Sequence, residues 1–180
     1  MTAPAERDRE SLRRSYRPKR VRLLLVGESA PVSGNFFYRD SAMTTFTARA
    51  FERAYGVTFR DSATFLSFFQ MRGCYLEDVS RKAVNAMASK ERKAVLGESV
   101  PSLSERIREL EPDIVVAVLR RIAAYVREAV HLTDRQVVFR VLPFPGNGHQ
   151  NSYVDGLSDI LGQYLPTKGW QTPSREVLAV

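Results

Sequence analysis

The sequence predicts a single α/β domain in three αβα layers, with a central, mostly parallel sheet of four strands. Four short apolar runs without a helical stripe recur along the chain, and each is followed by a segment of helical spacing. The first run, residues 21–26, has five apolar residues out of six, which is typical of a strand buried on both faces. Right-handed crossovers would place every loop that follows a strand at one edge of the sheet.

The composition of the chain limits its chemistry. One cysteine and two histidines cannot build a disulfide framework, a zinc site or an iron–sulfur site, so we expect no metal and no cofactor. The lack of an apolar leader or span predicts a cytoplasmic protein without a membrane partner. The net charge of +7 favours an anionic partner, most commonly nucleic acid, although many basic proteins bind none.

The 180 residues divide into three parts. Residues 1–19 are polar, rich in arginine and without periodicity, which predicts a flexible basic arm or a solvated terminus that aids solubility. Residues 20–165 hold the predicted strands and helices of the α/β domain. Residues 166–180 predict a loosely attached C-terminal tail.

The first strand runs into a loop at residues 27–38, where Gly27, Pro31 and Gly34 disfavour a helix. Such a loop at the carboxyl end of a buried parallel strand lies where open α/β sheets bind their ligands. It carries a carboxylate, a hydroxyl, an amide and three aromatic rings: Glu28, Ser29, Asn35, Phe36, Phe37 and Tyr38.

Two helices are predicted next. Asp40 or Ser41 caps the first, and Gly56 ends it. Asp61 or Ser62 starts the second, whose phenylalanines face the core.

The second strand, residues 74–79, carries Asp78 near its end. A helix or helix pair over residues 81–93 follows, and its basic residues include Arg81 and Lys82. This cluster is either a phosphate-binding surface or a solvated helix face.

Pro101 predicts a break in the chain's helical structure, and a capping box at residues 102–105 opens a short helix. The third strand, residues 114–119, leads directly into Arg120, Arg121 and another helix.

The fourth strand, residues 136–142, ends in a loop with two prolines and two glycines within six residues. This backbone presents Asn147 and His149 at its tip. Asn151 or Ser152 caps the last helix.

Known phosphate-binding and nucleophile motifs do not fit these loops. The first loop has neither a P-loop ending nor the glycine pattern of a dinucleotide fold. A triad of Ser29, His149 and Asp78 is conceivable, but Ser29 lacks the strained setting of a nucleophile elbow.

The order of these motifs resembles the uracil-DNA glycosylase superfamily over residues 20–165. The stretch Gly27-Glu28-Ser29-Ala30-Pro31 is similar to the family's Gly-Glu-Ala-Pro motif with one inserted residue. The loop at residues 143–151 stands where the family has a motif such as His-Pro-Ser before the last helix. The resemblance implies flipping of a DNA base and hydrolysis of its bond to the sugar.

The resemblance also implies roles for single residues. Phe36 or Phe37 would stack on the base, and Glu28 would orient water or oppose the positive charge of the sugar. The catalytic candidates are Glu28, Ser29 and His149; the base-binding candidates are Asn35, Phe36, Phe37, Asp78 and Asn147; the nucleic-acid-binding candidates are Arg81, Lys82, Arg120 and Arg121.

Several residues depart from the family pattern. Ser29 replaces an Asp or Asn beside the attacking water, and Phe144 stands where a His is expected. Asp78 replaces the Asn that reads the base, and an ionised carboxylate only accepts hydrogen bonds, so Asp78 favours a base that presents N–H groups over uracil. The absence of four cysteines excludes the iron–sulfur branch.

The candidates also have structural interpretations. Phe36 and Phe37 are core residues in that case, and Glu28 forms an ion pair with Arg22 or Arg39.

In the same structural interpretation, Tyr38 packs against the protein with its hydroxyl in solvent. Asp78 or Ser80 caps the helix predicted after the second strand, and His149 caps the last helix.

We therefore expect a DNA base glycosylase that acts on DNA, including single-stranded or damaged DNA. One alternative is a non-catalytic nucleic-acid or nucleotide-binding module on the same fold. A hydrolase or transferase that acts on a small nucleotide is another.

Overall fold

The computed structural model describes residues 4–167 as one four-stranded, all-parallel sheet with helices on both faces, which confirms the predicted fold class. The strand order is β2-β1-β3-β4. The strands are β1 (Leu23–Gly27), β2 (Cys74–Asp78), β3 (Ile114–Ala117) and β4 (Val138–Val141).

The register brings the carboxyl ends of the strands together. Gly27 pairs with Asp78 on one side of β1, and Val26 pairs with Ala117 on the other. Every residue of β1, β2 and β3 is buried, as expected for strands covered on both faces. The loop after β1 therefore lies between the loops after β2 and β3.

Two groups of helices cover the sheet. α2 packs on α6, and α4 packs on α5. No helix within residues 4–167 is both long enough and apolar enough to cross a membrane. The helices are α1 (Pro4–Ser15), α2 (Ala42–Tyr55), α3 (Ser62–Met71), α4 (Ser89–Leu110), α5 (Ala123–His131) and α6 (Gln150–Tyr164).

The predicted caps of α2 and α3 are confirmed. The Ser41 hydroxyl accepts from the Thr44 amide in a capping box, and α2 ends at Gly56 with φ of 65°. The Asp61 carboxylate accepts from the Thr64 amide at the start of α3.

The predicted flexible arm is instead a docked helix, α1. Its Arg13 side chain is 2% exposed and lies against the end of β2, and the Tyr16 ring stacks on Tyr38 with centroids 5.3 Å apart. Gln70 donates to the backbone carbonyls of Ser15, at the end of α1, and Arg17. Leu12 packs against the core, but the other contacts named here are polar and aromatic, so the segment lacks the apolar stripe by which a helix is recognised.

The predicted break at Pro101 is wrong, and of the helix predicted over residues 81–93 only residues 89–93 are helical. α4 begins at Ser89 and runs through Pro101 without ending. A proline inside a helix costs about 3 kcal/mol, but burial of one large apolar side chain contributes about 1.5–3 kcal/mol. The buried apolar face of α4 continues on both sides of the proline and outweighs this cost: Leu96, Val100, Leu103, Ile107 and Leu110.

The last helix also begins differently from the prediction. α6 starts at Gln150, so Asn151 and Ser152 lie inside its first turn instead of capping it. Of the predicted C-terminal tail, residues 168–180 lie outside the described residues.

The thiol of Cys74 provides a test of the burial of β2. Burial raises the pKa of this thiol, so the reactive thiolate is scarce, and the side chain is closed off from solvent. We expect no reaction with an aromatic disulfide reagent at pH 8 in the folded protein and complete reaction in denaturant. Rapid labelling of the folded protein would show that the β2 edge opens.

Candidate functional site

A cavity of about 590 Å³ opens at the carboxyl edge of the sheet, between the loops that follow the four strands. All eight predicted catalytic and base-binding residues line it, together with Arg120 and Arg121; Arg81 and Lys82 do not. Sequence analysis missed the contribution of Ser41, Ala42 and Met43 from the start of α2.

The deep part of the cavity is apolar except for one side chain. Among the described lining residues, Asp78 is the only buried one with a polar side chain. The exposed and half-exposed rim carries the polar side chains of Glu28, Arg121 and His149 beside apolar residues such as Phe144. The buried lining residues are Gly27, Ala30, Phe36, Phe37, Leu76, Asp78 and Val118.

The three consecutive aromatic residues of the first loop are all buried. The Phe37 ring contacts the rings of Tyr38 and Phe69, with centroids 5.1 and 5.3 Å away. Phe36 and Phe37 are thus part of the core and also part of the cavity wall. A ring fixed in this way offers a rigid apolar surface to a planar ligand.

The Tyr38 hydroxyl is not in solvent as predicted. It accepts from the amide of Leu76 at 2.7 Å and donates to the Leu76 carbonyl at 3.1 Å. Burial raises the pKa of Tyr38 well above its ordinary value. Tyr38 thus ties the first loop to β2.

Glu28 forms its ion pair with Arg121, not with Arg22 or Arg39. Its two carboxylate oxygens accept from Arg121 Nε at 2.9 Å and Nη2 at 2.6 Å. These hydrogen bonds raise the pKa of Arg121. The Glu28 side chain is 9% exposed whereas that of Arg121 is 53% exposed, so the arginine can leave this pair toward solvent.

Ser29 and Asp78 do not form a triad with His149. The Ser29 hydroxyl accepts from the Val84 amide at 3.1 Å, and Asp78 pairs with Arg13. No hydrogen bond joins the three predicted triad residues in the described part of the chain. Ser29 instead fastens the first loop to the segment before α4.

Asp78 belongs to a buried ionic network that the sequence did not reveal. Arg13 Nη2 donates to Asp78 Oδ2 at 2.7 Å, and Arg13 Nη1 lies 3.3 Å from Glu77. Burial lowers the pKa of Arg13, but its attraction to Asp78 and Glu77 outweighs this and raises the pKa overall. Arg106 donates to the Glu77 carboxylate at 2.6 Å and to the Asp78 carbonyl at 3.0 Å.

The capping interpretations are wrong. The segment after β2 is not helical, and the Ser80 hydroxyl accepts from the Lys82 amide within a turn, so neither Asp78 nor Ser80 caps a helix. His149 occupies the N-cap position of α6, where its carbonyl accepts from the Tyr153 amide, but its side chain makes no capping hydrogen bond. The exposed imidazole therefore remains available at the cavity rim.

The predicted nucleic-acid-binding residues differ in their surroundings. Arg81 pairs with Glu10 and Glu77 and is 30% exposed, so its charge is already compensated by two carboxylates. Lys82 is exposed, and Arg120 is exposed at the cavity rim; neither forms an ion pair within residues 4–167. Lys82 and Arg120 therefore supply free positive charge at this edge, joined by Arg121 when it leaves Glu28.

The described residues contain no group of three or more His, Cys, Asp or Glu side chains that could hold a metal ion. No protein-family model matches this chain, and no curated protein matches it significantly, so a function has to be inferred from the geometry of this cavity.

Proposed function

We propose that this protein binds DNA, takes one base into the cavity and hydrolyses the bond between that base and its sugar. The observation that carries the proposal is the meeting of two distant loops in one cavity, with a carboxylate on one and an imidazole on the other: Glu28 and His149. The resemblance to the uracil-DNA glycosylase superfamily adds a precedent for this chemistry but is itself part of the proposal.

The shape and polarity of the cavity support base binding. Its volume of about 590 Å³ falls within the range of small-molecule sites, about 300–1,000 Å³. The walls of its deep part are the buried rings of Phe36 and Phe37, and a flipped base is commonly held against aromatic or apolar side chains.

Glu28 supplies negative charge where the reaction needs it. Cleavage of the base–sugar bond leaves a cationic sugar, and a fixed carboxylate beside it lowers the energy of that transition state. In the free protein Arg121 neutralises this carboxylate. A DNA phosphate would compete for Arg121, and its departure would free Glu28 to oppose the sugar or orient a water molecule.

The other rim residues fit the remaining steps. The exposed imidazole of His149 can donate a hydrogen bond to the departing base, and the amides of Asn35 and Asn147 can hydrogen-bond the base or sugar. Arg120 can contact a phosphate.

A base-release assay tests the proposal directly. Single- and double-stranded oligonucleotides, each with one normal or damaged base, are incubated with the protein, and abasic sites are cut with alkali. We expect cleavage at one class of base. DNA binding without release from any base would favour the alternative, a non-catalytic binding module, which the occupied carboxylate of Glu28 and the structural hydrogen bond of Ser29 also favour.

Salt dependence tests the DNA partner. Each lost phosphate contact lowers the slope of log affinity against log salt by about 0.7–0.9. We expect this decrease for Lys82→Ala and for Arg120→Ala, measured by fluorescence anisotropy at several salt concentrations.

Lys19→Ala is the matched control for these variants, because Lys19 is exposed but precedes β1, at the opposite edge of the sheet. Equal slopes for all four proteins would contradict DNA binding at the cavity edge. Deletion of residues 1–19 is not a suitable test, since it removes α1 and its buried arginine.

A further inference from the structure

We propose that Arg13 sets the base preference of the cavity by fixing Asp78 as a hydrogen-bond acceptor, so that the cavity selects bases with an exocyclic amino group over their carbonyl counterparts. This inference rests on the proposed function of the cavity as a base pocket. It adds to the preference expected from Asp78 a positioning residue, Arg13, that lies outside the cavity wall.

The deep part of the cavity has a single polar side chain to read a base. Asp78 is buried there among apolar residues, so a base edge that reaches this depth meets one carboxylate. An ionised carboxylate accepts hydrogen bonds and donates none. A carbonyl oxygen placed against it would be repelled and would lose its hydrogen bonds to water, whereas an amino group would gain a charge-assisted bond.

Arg13 determines which oxygen of Asp78 is available. Its guanidinium takes Oδ2 at 2.7 Å, and no hydrogen bond to Oδ1 is found within the described residues. A side chain at Gly27 would fill the space beside Oδ1, since a Cβ there would lie 2.6 Å from that atom. Oδ1 is not closed off from solvent, and Gly27 and Asp78 both line the cavity, so a ligand can reach this oxygen from the cavity.

Arg13 also supports the aromatic wall. Its guanidinium carbon lies 5.3 Å from the centroid of the Phe36 ring, although Arg13 itself does not line the cavity. One buried cation thus holds the acceptor and one ring of the stacking surface in fixed relative positions. Its charge also balances the carboxylate, so a neutral base can occupy the cavity without leaving a buried unpaired charge.

Cytosine and uracil form a matched pair of probes, because they differ at the group on C4, an amino group in one and a carbonyl oxygen in the other. As 2′-deoxynucleosides the two bases have N1 blocked, and the only remaining N–H of uracil, at N3, is flanked by carbonyl oxygens on both sides. We expect deoxycytidine to bind at least tenfold more tightly than deoxyuridine, measured by NMR titration of each nucleoside into the whole protein.

Three variants separate specificity from stability. Asp78→Asn provides an amide donor and should remove the tenfold preference. Arg13→Lys keeps the positive charge but loses the guanidinium, whose two terminal nitrogens donate to Asp78 and Glu77. Once thermal melting has shown that this variant is folded, its preference for the amino base should be smaller than that of the unmodified protein. Glu77→Gln perturbs the same network without touching the cavity wall, and should leave the preference intact.

The possible results are distinct. Equal or tighter binding of deoxyuridine by the unmodified protein, or an unchanged preference in Asp78→Asn, would overturn this inference and leave the base pocket standing. Loss of preference in Glu77→Gln to the same degree as in Arg13→Lys would show that Arg13 acts only through general stability. If neither nucleoside binds, the proposed base pocket is wrong, and this inference falls with it.

Discussion

Arg13→Met is expected to lower the free energy of unfolding by about 3–5 kcal/mol, the usual cost of removing one partner from a buried ion pair. The methionine fills a similar volume, but it leaves the side chains of Asp78 and Glu77, which are 7% and 5% exposed, without their shared cation. Urea denaturation followed by circular dichroism measures the effect.

Arg14→Met is the matched control for this substitution. Arg14 is the next residue of α1, carries the same charge and is exposed, so the change should stay within about 0.5 kcal/mol of the unmodified protein. Similar losses for both variants would mean that helix charge, not the buried ion pair, stabilises α1. If the free energy of unfolding of Arg13→Met falls by less than about 1 kcal/mol, Arg106 and Arg81 are sufficient to neutralise the carboxylates of Glu77 and Asp78 when Arg13 is absent.

Glu28→Gln is expected to reduce turnover in the base-release assay by about 10²–10³-fold, as is typical when one group that stabilises transition-state charge is removed. The amide keeps the shape of the side chain but loses the negative charge that opposes the cationic sugar. DNA affinity should stay the same or rise, because Arg121 loses its charged partner and becomes free for phosphate. Single-turnover kinetics separates the two effects.

Glu109→Gln is the matched control, because Glu109 also pairs with an arginine, Arg17, at 2.6 Å. That pair is exposed and lies at the end of α4, just before β3 begins at the opposite edge of the sheet. We expect unchanged turnover in this variant. Unchanged turnover in Glu28→Gln as well would remove Glu28 from the mechanism.

The sheet and the position of the cavity could be predicted because their signals are local. The apolar runs mark the buried strands, and Ser41 and Gly56 bound α2 by hydrogen bonds and backbone angles that involve only near neighbours. Right-handed crossovers then bring the loops after the strands to one edge. This reasoning placed Glu28 and His149 in the same cavity although 121 positions separate them in the sequence.

The ion pairs that hold Asp78 and Glu28 could not be predicted, because each joins residues far apart in the chain. The Arg13 pair with Asp78 spans 65 positions, and the Arg121 pair with Glu28 spans 93. The chain has 27 lysines and arginines, so composition alone cannot say which of them meets which carboxylate. Arg13 was missed for a further reason: a buried arginine has the sequence signature of a solvated one.

The prediction that the helix breaks at Pro101 was wrong because it rested on the local preference of proline and did not include the packing of α4. A proline disfavours a helix by its own geometry, whereas the buried face that holds α4 together depends on α5 and the sheet. The same limit applies to Phe37, whose contacts with Phe65 and Phe69 of α3 were not readable from the loop in which it lies.

The distance in sequence between Arg13 and its partners has a consequence for the order of folding. α1 has 12 residues, which is too short for a stable isolated helix in water. The buried Arg13 of α1 meets its partners 63 to 65 positions later, at Leu76, Glu77 and Asp78 of β2, so during synthesis α1 cannot dock until β2 has been made. A chain interrupted before β2 would carry the first loop, its aromatic residues and Arg13, but not the carboxylates that hold this arginine in place.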